Sequence, residues 1–223
     1  MPCFNSTSII SLIHKIPNLS EYYVLFNDDT FIIRQVKIED FFNEKTPVLR
    51  GEWKKFYEYQ NIRLVFYKIL KYFKLMKNGR KKSLKFSMQN GAKLAGIEGE
   101  YYLRRFHNPI PMKKSTIVSF FDNNKKILEK NIKYKFRNNK NQFITETLSN
   151  HLEIKNSNYS ISNPQLTYFR SYKNILITKF KLYKTTFNKG ILFITFQSLE
   201  SANKKTIKIV LNWLKRRLNK KLL

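Results

Sequence analysis

Positive charge is confined to one part of this chain, and that confinement limits how the chain can fold. Residues 1–58 hold 7 Lys+Arg and 8 Asp+Glu, net −1, whereas residues 59–223 hold 36 against 7, net +29. Repulsion on that scale opposes compaction, so a polyanion is expected to neutralise it. Nucleic acid is the first class of partner this suggests and an anionic membrane surface the second. The near-neutral segment 1–58 reads as a separate N-terminal module that docks on protein, and 59–223 as a basic RNA-binding region. With 223 residues and 42% hydrophobic content, the chain can bury a core of one or two domains.

Several classes are disfavoured. No run of about 18 apolar residues exists, so no membrane span is expected. Cys3 is the sole cysteine, which excludes an internal disulfide and a Cys-based zinc cluster. His14, His107 and His151 lie far apart without metal-ligand spacing, so no metal and no cofactor are expected. Phosphate-loop and nucleophile-elbow motifs are absent. The excess of Lys comes with many Asn, Ile, Phe and Tyr, the residues of A/T-rich codons, while acids are scarce.

The spacing predicts strands and helices together, an α+β fold with a small N-terminal β-containing module. Tyr22–Val36 reads as two short strands around the turn Asn27-Asp28-Asp29. A helix is expected over 61–77, with Ile62, Val65, Phe66, Ile69, Phe73 and Met76 on one face, Lys68, Lys71 and Lys74 on the other side, and Lys77 at its end. Gly79 suits its cap, and Arg80, Lys81, Lys82 and Lys85 follow. Residues 90–160 read as a variable insertion, with Asn123–Lys140 a loop or extension. Ile175–Tyr183 and Ile191–Leu199 are β-rich, so 175–199 reads as a protruding β-hairpin bearing Lys179, Lys181, Lys184 and Lys189. A helix over 201–220 follows, capped by Ser201. Its apolar stripe is Ile207, Val210, Leu211, Leu214 and Leu218, flanked by Lys204, Lys205, Lys208, Lys215, Arg216, Arg217 and Lys220.

Two blocks carry a family resemblance. Met76, Gly79, Arg80 and Lys81 within Phe66–Phe86, and Ile209, Trp213 and Leu214 within Ala202–Lys221, resemble small-subunit ribosomal protein seven in a divergent organellar form. Asn163-Pro164 precedes the expected hairpin, as in that family. The final segment also resembles the C-terminus of a large-subunit protein of the sixteenth family, which leaves the subunit open. The resemblance implies a mainly helical protein with a protruding β-hairpin before the C-terminal helix, a structural constituent of a mitochondrial ribosome, organelle-encoded and not an enzyme. It would bind rRNA and neighbouring ribosomal proteins, with the hairpin near exit-site tRNA and mRNA. The basic positions named above would then contact RNA phosphates, and Tyr168, Phe169, Tyr172 and Tyr183 are candidates for base stacking. An alternative rests on Leu94–Phe106, LAGIEGEYYLRRF, which resembles the LAGLIDADG motif of homing endonucleases and intron maturases. In that reading Glu98 or Glu100 would hold a divalent metal.

Overall fold

The computed structural model of the protein describes residues 3–60 and 83–219. The fold is α+β, with helix outweighing strand among the described residues. The strands are β1 (Tyr22–Leu25), β2 (Thr30–Ile32), β3 (Phe42–Asn43), β4 (Thr46–Lys55), β5 (Tyr101–Arg105), β6 (Ile110–Lys113), β7 (Ser160–Ser162), β8 (Leu166–Phe169) and β9 (Phe193–Phe196). The helices are α1 (Ser6–Ile10), α2 (Leu84–Leu94), α3 (Lys114–Asn123), α4 (Lys125–Ile132), α5 (Thr145–Lys155), α6 (Ile175–Phe187) and α7 (Lys204–Asn219).

β1 and β2, consecutive in the chain, do not pair with each other. β1 runs antiparallel to β6, with Tyr22 opposite Lys113 and Leu25 opposite Ile110. β2 instead runs antiparallel to β9, whose other edge carries β8 in parallel. The ten-residue β4 serves three partners along its length: β3 at Thr46 and Pro47, β7 at Val48–Arg50, and β5 at Gly51–Lys55. Strands from the near-neutral segment are therefore paired with strands of the basic region.

Four apolar clusters fill the interior. One joins Ile33, Phe169, Ile194 and Phe196 of the β2–β9–β8 sheet to Leu182 of α6 and to Val210 and Leu214 of α7. Phe41 and Phe42, at the start of β3, pack on Leu192 and Phe193 at the start of β9 in a separate cluster. A second body of core gathers Ile110, Met112, Ile117, Phe121, Leu128, Phe143 and Leu148 under α3, α4 and α5. Phe56, Met88, Ala92, Tyr102 and Ile144 join α2 to β5.

Helix α5 is the least expected element. Its first seven residues, Thr145 to His151, are all buried although most are polar, and Glu153 is buried too. Burial of polar groups is tolerated only with partners. Thr145 exchanges a hydroxyl hydrogen bond with Ser11 at 2.7 Å. His151 Nε2 accepts from the Leu103 amide of β5 at 3.0 Å, so Nδ1 carries the proton and donates to Thr147 O at 2.7 Å. Thr116 and Asn158 both donate to Glu153. Alongside, Asn131 and Gln142 tie α1, α4 and the start of α5 together: Asn131 donates to Ser11 and Phe143, and Gln142 to Ser8. α2 approaches α5 through Gly91, where an added Cβ would lie 2.8 Å from Ile144 O and 3.0 Å from the Leu148 nitrogen.

The α+β class, the N-terminal strands and the C-terminal helix agree with the sequence pattern. The protruding hairpin over 175–199 does not form. Ile175–Phe187 is helix, because Asn174 caps it by accepting from the Leu176 and Ile177 amides and because Thr178, Leu182 and Thr185 form one buried helical face. Burial on a helical period overrides the β-branched composition. Only Phe193–Phe196 of the second run is strand, and it is interior to a sheet. Residues 90–160 supply much of the core, and Asn123–Lys140 contains α4 in place of a loop. α7 begins at Lys204, with Asn203 accepting from the Thr206 amide; Ser201 ends a preceding 3-10 turn. Leu94 closes α2, and Glu98 and Glu100 follow in an exposed turn with Gly96 and Gly99 at positive φ, so no helix ends in either acid. The helix expected over 61–77 lies outside the described residues. Among the described residues no helix is long and apolar enough to cross a membrane.

Two outcomes follow from α5. Gly91→Ala removes a poor helix former, yet it should cost about 1–3 kcal/mol in denaturant unfolding, because the methyl meets backbone and not a movable side chain; a gain in stability would contradict this packing. Burial lowers His151 to about 4, with the bond to Thr147 opposing. Between that value and its ordinary one near 6.5, the unfolded chain binds a proton that the folded chain excludes. The stability this neutral ring contributes is therefore present above pH 6.5 and lost as pH falls towards about 4. His151→Gln should flatten the unfolding-midpoint profile across that window.

Candidate active site

The turn between β1 and β2 has an unusual position because its two strands belong to different sheets. The Thr30 amide donates to Asn27 O at 3.2 Å and closes it. Asp28 is exposed and Asp29 half-buried. The Phe196 amide of β9 donates to Asp29 O at 2.9 Å. The buried hydroxyls of Thr30 and Thr195 lie 2.8 Å apart, and both donate to His107 O, at 3.3 and 3.0 Å. The backbone that carries Asp28 and Asp29 is thereby fixed beside the β5–β6 connection.

His107 sits in that connection. Its Nδ1 is 3.5 Å from Asn27 Nδ2, and its ring stacks on Tyr168 with centroids 5.1 Å apart. The Tyr168 hydroxyl donates to Gln197 beyond β9. Burial pushes the His107 imidazole below its ordinary value, Arg105 adds to this, and Asp29 opposes it. The ring is accordingly neutral at physiological pH, with one nitrogen able to accept a proton.

Behind His107 lies a charged pair held out of water. Arg105 Nη2 of β5 meets Glu146 Oε1 of α5 at 2.9 Å, with little of either side chain exposed. Tyr23 of β1 is raised to about 12 by burial first, then by Glu146 and Glu21, so its hydroxyl stays protonated. The Tyr23 hydroxyl, Arg105 Nε, Asn108 Oδ1 and Asn150 Oδ1 are buried without hydrogen-bond partners. Such orphans are uncommon in native interiors. The arrangement offers two carboxylates, a neutral imidazole and a braced guanidinium. Among the described residues no three or more His, Cys, Asp or Glu side chains gather to hold a metal.

The basic positions singled out in the sequence do not converge here. Lys85, Lys179, Lys181, Lys184, Lys189, Lys204, Lys205, Lys208, Lys215 and Arg216 are exposed on α2, α6 and α7 and around them. Arg217 is half-buried and donates to Thr186 O at 3.0 Å. Lys68, Lys71, Lys74, Lys77, Arg80, Lys81, Lys82 and Lys220 lie outside the described residues. Of the candidate stacking aromatics, Phe169 and Tyr172 are core, Tyr168 covers His107 and Tyr183 is exposed. Glu100 pairs with Lys55 at 2.6 Å. Sequence reading missed Asp28, Asp29, Arg105, His107 and Glu146. The one available signal was that an acid-poor chain concentrates acids in its first 58 residues.

Comparison with known proteins bears on the same segment. The family described as Stealth protein CR2, conserved region 2, matches residues 1–49, which include the Asn27-Asp28-Asp29 turn. The receptor polysaccharide phosphotransferase WefC of Streptococcus oralis is 28% identical over 182 residues, 74% of this chain and 53% of its own length. The capsular polysaccharide phosphotransferase WcwK of Streptococcus pneumoniae is similar to the same extent. The capsular polysaccharide phosphotransferase cps1A of Actinobacillus pleuropneumoniae is 55% identical over 42 residues, 19% of this chain and 12% of its own. The chain spans about half the length of the first two.

These likenesses overturn the ribosomal reading. The similar proteins are bacterial polysaccharide phosphotransferases by name, so the expectations of a non-enzyme, of rRNA, tRNA, mRNA and ribosomal-protein partners, and of a mitochondrial ribosome are corrected, as is the endonuclease alternative. The physical source of the error is that net charge reports composition and not placement. The ordered helix–hairpin–helix pattern that supported the resemblance contains no hairpin, and the Trp213-Leu214 pair is ordinary core packing of α7 against α6.

The Arg105–Glu146 pair gives a direct test of this construction. Glu146→Ala strands a buried guanidinium and should cost about 3–5 kcal/mol in denaturant unfolding, while adding Arg105→Met should recover much of it. A loss below about 1 kcal/mol, the range of exposed pairs, would contradict the burial described.

Proposed function

We propose that the chain takes part in transferring a phosphate-linked group to a saccharide hydroxyl, with Asp28, Asp29 and His107 at the reacting centre. The observation that carries this reading is that the acidic turn lies within the matched residues 1–49 and is hydrogen-bonded onto the His107 connection. A saccharide hydroxyl is a weak nucleophile. A neutral imidazole can take its proton as the new O–P bond forms and the bond to the leaving group breaks. Carboxylates beside it can orient the acceptor by receiving hydrogen bonds from its other hydroxyls. Arg170, exposed at the end of β8 and close enough to influence Tyr168, is the nearby cation suited to the phosphate. The names of the similar proteins support a polysaccharide as acceptor.

The test is transfer to an oligosaccharide acceptor by the wild-type protein and by His107→Gln and Asp29→Asn. Each variant should lose roughly 10²- to 10⁴-fold in kcat, with an unchanged unfolding midpoint. His107 works unprotonated and its proton affinity is lowered, so wild-type kcat/KM should persist as pH falls through 6.5 and decline only below it. Wild-type rates in His107→Gln would remove the imidazole from the mechanism.

A further inference from the structure

Helix α6 is braced from behind and bare in front. Thr178, Leu182 and Thr185 form its buried face. Arg34 donates to the carbonyl oxygens of Thr185, Thr186 and Asn188 at 2.9, 3.1 and 2.7 Å, and so closes its C-terminal end. Trp213 Nε1 and Arg217 of α7 also bond Thr186, at 3.0 Å each. At about 3.6 residues per turn, Leu176, Phe180, Tyr183 and Phe187 line the opposite face. All four are more than half exposed. The Tyr183 and Phe187 rings lie 4.7 Å apart, making a continuous apolar ridge.

Lysines border that ridge on both sides. Lys179 lies on one flank and Lys184 on the other, with Lys184 Nζ over the Phe180 ring at 5.0 Å. The surrounding sequence is almost free of acid: Arg170 to Leu223 holds 14 Lys and Arg against Glu200 alone. A second copy docking through this face would set lysine against lysine. A soluble acidic partner would satisfy the charges, but only a lipid surface offers anions and hydrocarbon side by side over the length of a helix. Lysines can bury their stems and keep their ammonium groups at the phosphates, while Tyr183 suits the boundary itself.

We propose that the outer face of α6 is a docking surface for an anionic lipid bilayer. The helix lies in the plane of the headgroups with Leu176, Phe180, Tyr183 and Phe187 at the acyl boundary and Lys179 and Lys184 on lipid phosphates. This is independent of the reaction centre, which is built from other residues. The test is co-sedimentation of the whole chain with phosphatidylcholine vesicles that contain phosphatidylglycerol, and with pure phosphatidylcholine vesicles. Binding is expected to the former only. Phe180→Ser with Phe187→Ser should weaken it by at least roughly tenfold, given the area removed, and Lys179→Glu with Lys184→Glu should abolish it. All four positions are exposed, so circular dichroism and unfolding midpoints should match wild type. Failure of the wild-type chain to bind the anionic vesicles overturns the proposal. So does binding that the double serine variant retains in full, which would mean that charge alone acts elsewhere on the chain. Oligomers that the serine variant dissolves, in a chain that ignores vesicles, would assign the face to self-association instead.

Discussion

Everything in this fold leans on a polar helix placed where an apolar one would be expected. α5 is buried from Thr145 to His151, and Thr145, Glu146 and His151 find partners on several neighbouring elements, whereas Asn150 Oδ1 is left without one. Ser11 before β1, Leu103 and Arg105 of β5, and Thr116 of α3 are all tied to it. Such a network fixes geometry more strictly than apolar packing. A displaced hydrogen bond loses its partner, whereas a displaced methyl finds another contact.

That strictness is transmitted to the candidate site through β5. His151 and Glu146 hold two points of one strand, at Leu103 and Arg105, and the chain then turns directly into His107. From the other side, β1 and β2 deliver Asp28 and Asp29 because they pair with different sheets, which leaves their turn spanning the junction. The imidazole thus sits beside Asn27 of the acidic turn, whose backbone is held by hydrogen bonds to β9 and by the Thr30 and Thr195 hydroxyls on His107 O. A general base needs that kind of constraint, since its efficiency depends on reach and direction as much as on proton affinity.

The net charge of +28 suggested a polyanion and, through it, rRNA. The suggestion of a polyanion is sound as electrostatics, but its chemical identity does not follow from a count. A surface of scattered lysines produces the same total as an RNA groove. Among the described residues, the cations read as RNA contacts are spread over α2, α6 and α7 and do not converge on the acidic turn. Rarity within composition was more informative than abundance.

The sequence by itself determined the α+β class, the two short strands flanking the Asn27-Asp28-Asp29 turn, and the amphipathic C-terminal helix. Each of these is written in local periodicity or turn chemistry, which operates over a few residues. It did not determine that Ile175–Phe187 is helical, since a run of β-branched and aromatic residues satisfies a strand equally well until Thr178, Leu182 and Thr185 meet the α7 side of the core. Nor could it assign His107 or Glu146. Their neighbours in space, Asn27 and Arg105, are 80 and 41 residues away. Only the tertiary structure brings those distant groups together, because the proton affinity and partner of a side chain are properties of the surroundings that burial creates, and the chain order does not contain them.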